Sequence, residues 1–221
     1  YALSERVSLF AGLGVERLNA DVTLNGNAYA AAISQQVAGN LSLVPTYLAT
    51  GGYAFRMEAT TQPTYLIGAA YEIPDIALRI AGTYRFETEH SADTVEHLLG
   101  ATTASTVDFV TPQSFNLEMQ TGIAPGTLLT ASYRWTEFEA VDLVPTVLNS
   151  DLVDLENGER YTLGLARQFS DSLAGALTLV YEPDGDSLVS PLGPTNGLLG
   201  LSLGGQFTDG PLNISGGVSY N

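Results

Sequence analysis

Strict alternation of apolar and polar side chains constrains this chain more than any other feature. Over residues 198–207, Leu199, Leu201, Leu203 and Phe207 fall on one face, and Gly200, Ser202, Gly204 and Gln206 on the other. After Thr208-Asp209-Gly210-Pro211 the pattern resumes, with Leu212, Ile214, Val218 and Tyr220 set against Asn213, Ser215, Gly217 and Ser219. A period of two is the mark of a β-strand with one apolar and one polar side. The same reading covers 7–18, 64–71, 76–86, 115–124, 127–138, 160–169 and 173–182, which makes nine expected strands.

The connections alternate in length. Short turns sit at Ser4-Glu5-Arg6, Glu72-Ile73-Pro74-Asp75, Pro125-Gly126, Ser170-Asp171-Ser172 and Asp209-Gly210. Between them lie long segments at about 19–63, 87–112, 139–159 and 183–197. A soluble sandwich has no reason to put every long loop at one end, whereas an outer-membrane barrel has short periplasmic turns and long extracellular loops. The polar face is mostly Gly, Ser, Thr, Asn and Gln, too small and too polar for a soluble core. Tyr71, Tyr84, Tyr133, Trp135, Tyr161, Phe169, Tyr181, Phe207 and Tyr220 fall near strand ends, where aromatic girdles sit at membrane interfaces. The fold class expected is all-β, a transmembrane antiparallel β-barrel forming a single domain over 1–221.

Composition narrows the function. The formal charge is −16, yet only 14% of residues are charged, and there is no Cys. That excludes thiolate metal sites and disulfide frameworks. So acidic a chain, with Arg as its only cation besides histidine, is a poor partner for nucleic acid, whose phosphates need clustered positive charge. No stretch approaches the roughly 18 apolar residues of a membrane helix. The alternation runs to both ends, and an odd strand number does not close a bacterial barrel, so the sequence is read as a segment of a larger one.

Three hairpins carry a family resemblance: Leu66-Ile-Gly-Ala-Ala-Tyr-Glu-Ile-Pro-Asp-Ile-Ala-Leu-Arg79, Gly126-Thr-Leu-Leu-Thr-Ala-Ser-Tyr-Arg-Trp-Thr-Glu-Phe138 and Asn157-Gly-Glu-Arg-Tyr-Thr-Leu-Gly-Leu-Ala166. Through these and its strand order the chain resembles the FadL/TodX-type outer-membrane transporters of long-chain fatty acids and hydrophobic compounds. The resemblance implies a fourteen-stranded barrel, of which this segment would supply the fifth to thirteenth strands. The N-terminal plug, first strands and closing strand would lie outside it. It further implies passive uptake of fatty acids or hydrocarbons across the Gram-negative outer membrane by a multi-pass, monomeric barrel. The alternative is a general diffusion porin or structural barrel with no hydrophobic site.

The first long segment bears most on that choice. Asn25-Gly26-Asn27 offers a helix cap, and Tyr29, Ile33 and Val37 then recur on one helical face. Leu43 and Leu48 continue the apolar character. An exposed surface of this kind needs a partner, either a neighbouring loop or a hydrophobic molecule at first capture, the role the resemblance implies. The remaining long segments are acidic, with Glu87, Glu89, Asp93, Glu96 and Asp108 in one and Asp184-Gly185-Asp186 in the last. Asp184-Gly185-Asp186 lacks the spaced oxygens and distal Glu of a calcium loop, and neither metal nor cofactor is expected. His90 and His97, the only histidines, lie in an acidic stretch with no nucleophile partner in evidence, so no enzyme is expected.

Strand register yields pairings for the lumen. Centring one turn at Gly126 sets Glu118 opposite Arg134, and centring the next at Asp171 sets Arg160 opposite Glu182. Arg79, Arg85 and Arg134 are the cations expected to meet a substrate carboxylate. The partners expected are thus a hydrophobic small molecule and outer-membrane lipid.

Overall fold

The computed structural model describes residues 1–185 and 196–221; Asp186 lies outside the described residues. Eleven strands form one antiparallel sheet. They are β1 (Val7–Leu24), β2 (Tyr53–Ile73), β3 (Leu78–Arg85), β4 (Thr88–Leu98), β5 (Ala101–Thr111), β6 (Ser114–Ala124), β7 (Thr127–Thr136), β8 (Gly158–Gln168), β9 (Leu173–Glu182), β10 (Leu198–Asp209) and β11 (Leu212–Tyr220). Two helices, α1 (Asn27–Ala38) and α2 (Val44–Ala49), lie between β1 and β2.

Nine of these strands make a continuous wall in the order β1-β2-β3-β6-β7-β8-β9-β10-β11. They are the nine that the alternation marks. The wall is open, since among the described residues β1 pairs only with β2 and β11 only with β10. Its turns follow local chemistry. The Ser4 hydroxyl accepts from the backbone N–H of Val7 at 3.1 Å. Gly126 and Gly210 take φ of 66° and 54°, a conformation that costs a residue without Cβ little.

The sequence reading falls short in the long segments. Strands β4 and β5 occupy 87–112, read above as a loop. Their two-residue turn is Leu99-Gly100, with φ of 52° and 82°, and lacks the Asn-Gly or Asp-Gly signal of such turns. The hairpin continues the edge of β2 beyond β3: β3 pairs with Leu66–Ile73, and β4 pairs with Ala54–Met57. Strands β1 and β2 likewise run on to Leu24 and back to Tyr53, well past the expected ends at 18 and 64.

The main cluster of buried apolar residues lies in this upper region, with Ala70 and Ala81 buried apart from it on the wall. Ala30 and Ile33 of α1, Tyr47 of α2, Tyr53, Phe55 and Met57 of β2, Ala92, Leu98 and Val107 of the hairpin, and Leu143 and Leu148 of the segment after β7 form one buried cluster. Leu18, Ala20, Val22 and Leu24 of β1 pack against it. These four share a face with Ser8, Phe10, Gly12, Gly14 and Glu16 below them, because β1 alternates without interruption. The cap therefore sits over the polar face of the wall.

The sheet thus inverts its polarity along β1 and β2. Low in β1, the far face carries Val7, Leu9, Ala11, Leu13 and Val15, with Leu13 85% and Val15 76% exposed. Higher up, that far face carries Arg17 and Asp21, and Asp21 pairs with Arg56 of β2 at 3.9 Å. An irregularity between Leu18 and Ala20, where β2 holds one extra residue, accompanies the change and moves Met57, Phe55 and Tyr53 onto the cap side. No helix among the described residues is long and apolar enough to cross a membrane.

Candidate functional site

Three features gather the chemistry: the cap, a charged row on the polar face, and a polar cluster where cap and wall meet.

In the cap, α1 begins at Asn27 with Gly26 at the cap position and no side-chain cap bond. Asn25 instead accepts from the N–H of Gly26. The face expected to stay together does not. Ile33 is buried at 4% exposure, Tyr29 is half-buried, and Val37 is 49% exposed. Leu43 is half-buried and Leu48 is 39% exposed. The physical reason is geometric: residues four apart drift around the helix, and Ala30, Ile33 and Ser34 define the packed stripe. What remains on the surface is Val37, Leu41 and Leu48.

A buried carboxylate holds the cap together. Glu96, 1% exposed, accepts from the Tyr53 hydroxyl at 2.9 Å and from the backbone N–H groups of Val147 at 2.9 Å and Leu148 at 3.1 Å. Gln36 of α1 donates to the Leu148 carbonyl at 2.6 Å. The segment after β7 is thereby tied to both the hairpin and α1. The Tyr47 hydroxyl donates to the Leu24 carbonyl, and burial pushes the Tyr47 phenol above its ordinary pKa. Sequence reasoning missed Glu96, treating it as one more solvated acid. Its alternation with Thr94 and Leu98 was the available signal.

Across the wall, one row of the polar face reads Asn116, Arg134, Arg160 from β6 to β8. Arg160 lies 3.2 Å from Glu182 of β9. Arg134 stands opposite Asn116, and Glu118 stands opposite Ser132, so the expected facing of Glu118 and Arg134 is corrected. The loop is the two residues Pro125-Gly126, and an irregularity between Gly122 and Ala124 absorbs another residue. Together they slide the pairing by two positions. Arg79 pairs with Glu72 at 3.1 Å, and Arg85 pairs with Glu16. Among the described residues Arg134 alone of the three candidate cations has no ion pair.

Where wall and cap meet, Glu16 also accepts from Thr111 at 2.6 Å and from Nε2 of His90 at 2.9 Å. His90 lies on β4, buried at 3% exposure and stacked on Phe109 with ring centroids 5.1 Å apart. His97 is exposed, with its Nδ1 2.8 Å from the Thr102 hydroxyl. No three His, Asp or Glu side chains among the described residues come together as a metal ligand set.

The apolar face presents its own landmark. Tyr133, Tyr161 and Tyr181 stand side by side on β7, β8 and β9. Glu159 accepts from the hydroxyls of Tyr133 at 3.1 Å and Tyr161 at 2.8 Å. Below this row Ala131, between Met119 and Leu163, leaves a shallow depression of about 480 Å³.

Comparison with solved structures decides the architecture. The Pseudomonas putida toluene transporter TodX superposes with a TM-score of 0.62 at 17% identity, over 99% of this chain and 61% of that one. A Pseudomonas aeruginosa FadL homologue gives 0.70 at 15% identity, over 99% and 56%. The fold is of the FadL/TodX type. The Ralstonia pickettii toluene transporter TbuX adds a TM-score of 0.58 at 14% identity, over 99% of this chain and 59% of TbuX. This chain spans roughly three fifths of the FadL/TodX-type chains it matches. No protein-family model and no curated protein sequence matches it.

Proposed function

We propose that this chain forms wall and cap of a barrel that admits hydrophobic small molecules, fatty acids or hydrocarbons, across a Gram-negative outer membrane without energy input. The observation that supports this reading best is the inversion of polarity along β1 and β2. Below residue 16 the far face of β1 is apolar and unpacked, as lipid contact requires. Above it, apolar residues turn to the polar face and assemble the cap. In this reading the polar face is the lumen, the cap is its extracellular roof, and the tyrosine row marks the outer interface. Structures of the same fold include two toluene transporters.

Capture would begin on the cap surface at Val37, Leu41 and Leu48, since each alkyl CH₂ leaving water gains roughly 0.8 kcal/mol. Transfer would follow along the polar face past Arg134, which could meet a carboxylate. The chain acts here as a monomeric channel and not as an enzyme. The test is uptake by cells carrying the full-length protein, with toluene and a long-chain fatty acid as substrates, beside conductance in planar bilayers. Substrate uptake without free passage of small polar solutes supports the proposal. Conductance of such solutes with no gain in uptake favours the general porin instead.

A further inference from the structure

On the apolar face, β8 carries a carboxylate at one end and a guanidinium at the other. Glu159 and Arg167 share that face with Tyr161, Leu163 and Leu165 between them. Their separation is roughly 27 Å along a strand, close to the height of the apolar band of an outer-membrane barrel. Arg167 lies beside the short turn at Gly126 and Glu159 at the opposite end of the strand. In the proposed orientation Glu159 therefore stands at the outer interface, where lipid heads meet water.

Glu159 accepts from the Tyr133 and Tyr161 hydroxyls, yet no Arg or His among the described residues pairs with it. A carboxylate offers about four lone-pair sites, so these two donors leave it with spare acceptor capacity and its charge uncompensated. Trp135 stands opposite it on β7, and Tyr181 stands beside Tyr161 on β9. Among the described residues neither the Trp135 indole N–H nor the Tyr181 hydroxyl has a hydrogen-bond partner. A charged acceptor flanked by two free donors is complementary to a zwitterion whose ammonium and phosphate lie side by side. A phosphate alone would meet the Glu159 charge, and a quaternary ammonium has no N–H to donate.

Below this row the depression at Ala131 is bordered by Met119, Leu163 and Leu179. Lipid tails are as apolar as these side chains, so a seated chain gains van der Waals contact and no hydrophobic driving force. The depression positions a chain; the head decides which lipid stays.

We propose that Glu159, Trp135, Tyr181 and the depression at Ala131 form a site for a phospholipid with a primary ammonium beside its phosphate, the phosphatidylethanolamine class. The ammonium donates to Glu159, the phosphate accepts from Trp135 and Tyr181, and one acyl chain lies over Ala131. The site rests on the reading of the apolar face as lipid-facing.

The experiment is quenching of Trp135 fluorescence by lipids with brominated acyl chains, using the full-length protein in phosphatidylcholine vesicles. Trp135 is the only tryptophan of these 221 residues, and subtracting the emission of Trp135→Phe isolates its signal. Brominated phosphatidylethanolamine, phosphatidylcholine and phosphatidylglycerol are added singly at equal mole fraction. The first should quench about threefold more strongly than the last, as one exposed charge-assisted contact allows. Phosphatidylcholine, charged but without an N–H, should fall between them. Glu159→Gln keeps the shape and removes the charge, and should bring the two extremes within about 1.5-fold. Ala131→Leu fills the depression and should cut quenching by phosphatidylethanolamine about twofold. Equal quenching by all three lipids in the unaltered protein overturns the site and leaves lipid contact intact. Absence of quenching by any of them overturns the lipid-facing reading and the site with it. A preference that survives Glu159→Gln, or quenching unchanged by Ala131→Leu, also overturns the site. The comparison of three lipids on the unaltered protein decides the matter even where a variant fails to assemble.

Discussion

The wall and the cap are built from the same strands by opposite rules. In the wall, Leu13, Leu199 and Val218 expose 85%, 70% and 70% of their surface, and among the described residues the large buried apolar side chains cluster outside it. In the cap, Tyr47, Tyr53 and Phe55 are at most 1% exposed. The wall is held by ladders and, in the proposed reading, meets lipid on its outer side; the cap has a buried apolar cluster of its own. The hydrophobic effect acts within the cap, where burial of each large side chain contributes about 1.5–3 kcal/mol. The boundary between the two rules is therefore written into β1 between Val15 and Leu18.

The largest effect expected from breaking this contrast is in the cap core. Phe55→Ala leaves a cavity among close-packed neighbours and should cost about 3–5 kcal/mol. The loss should appear as faster amide exchange and proteolysis in 139–157, while the wall strands keep their protection. Equal loosening of wall and cap would show that the two are one cooperative unit.

Next comes the apolar face of the wall. Leu201→Arg should cost about 2–4 kcal/mol if that residue meets the middle of the bilayer. Ser202→Arg, one residue away on the polar face, should leave assembly intact. Heat-modifiable gel mobility of the assembled barrel measures both, and equal effects would refute the assignment of faces.

Glu96 ranks third. Glu96→Gln keeps the shape but replaces a charged acceptor with an amide that cannot accept at both oxygens. Hydrogen bonds to charged groups are worth about 1.5–3 kcal/mol, so part of that should vanish, seen first as faster exchange at Val147 and Leu148. Unchanged exchange at these two amides would mean that the segment is held by Leu143 and Leu148 packing alone.

These contrasts also explain what the sequence could reveal. Wall strands such as β10 and β11 were legible because one environment acts along their whole length, giving unbroken alternation. The upper parts of β1 and β2 were not, because polarity inverts near Leu18 and a bulge shifts the phase of β2. Strands β4 and β5 were hidden by their acids: Glu89 and Asp93 face water, while Glu96 on the opposite side is buried. Candidate site residues divide in the same way. The facing of Arg160 and Glu182 follows from a simple turn, whereas the position of Arg134 depends on an irregularity at Ile123 that no local composition marks. The split of Tyr29, Ile33 and Val37 depends on which neighbours α1 meets, a fact of tertiary packing.

The smallest change in stability, and the sharpest test of the cap's role, comes from its surface. Val37 and Leu48 are 49% and 39% exposed, so Val37→Asp with Leu48→Asp should alter stability by no more than about 0.5 kcal/mol each. Ile33→Asp, by contrast, places a carboxylate in the core and should unfold the cap, because an unpaired buried charge is far costlier than a solvated one. If the exposed pair first captures substrate, the double variant should slow uptake at low substrate concentration and spare it at saturation, with amide exchange in the cap unchanged. A Leu41→Asp variant, at the 59% exposed position beside them, should add to the loss. Uptake indifferent to all three changes would mean that the cap's value lies in its fold alone, as a roof whose apolar residues face inward, and that capture happens elsewhere on the barrel.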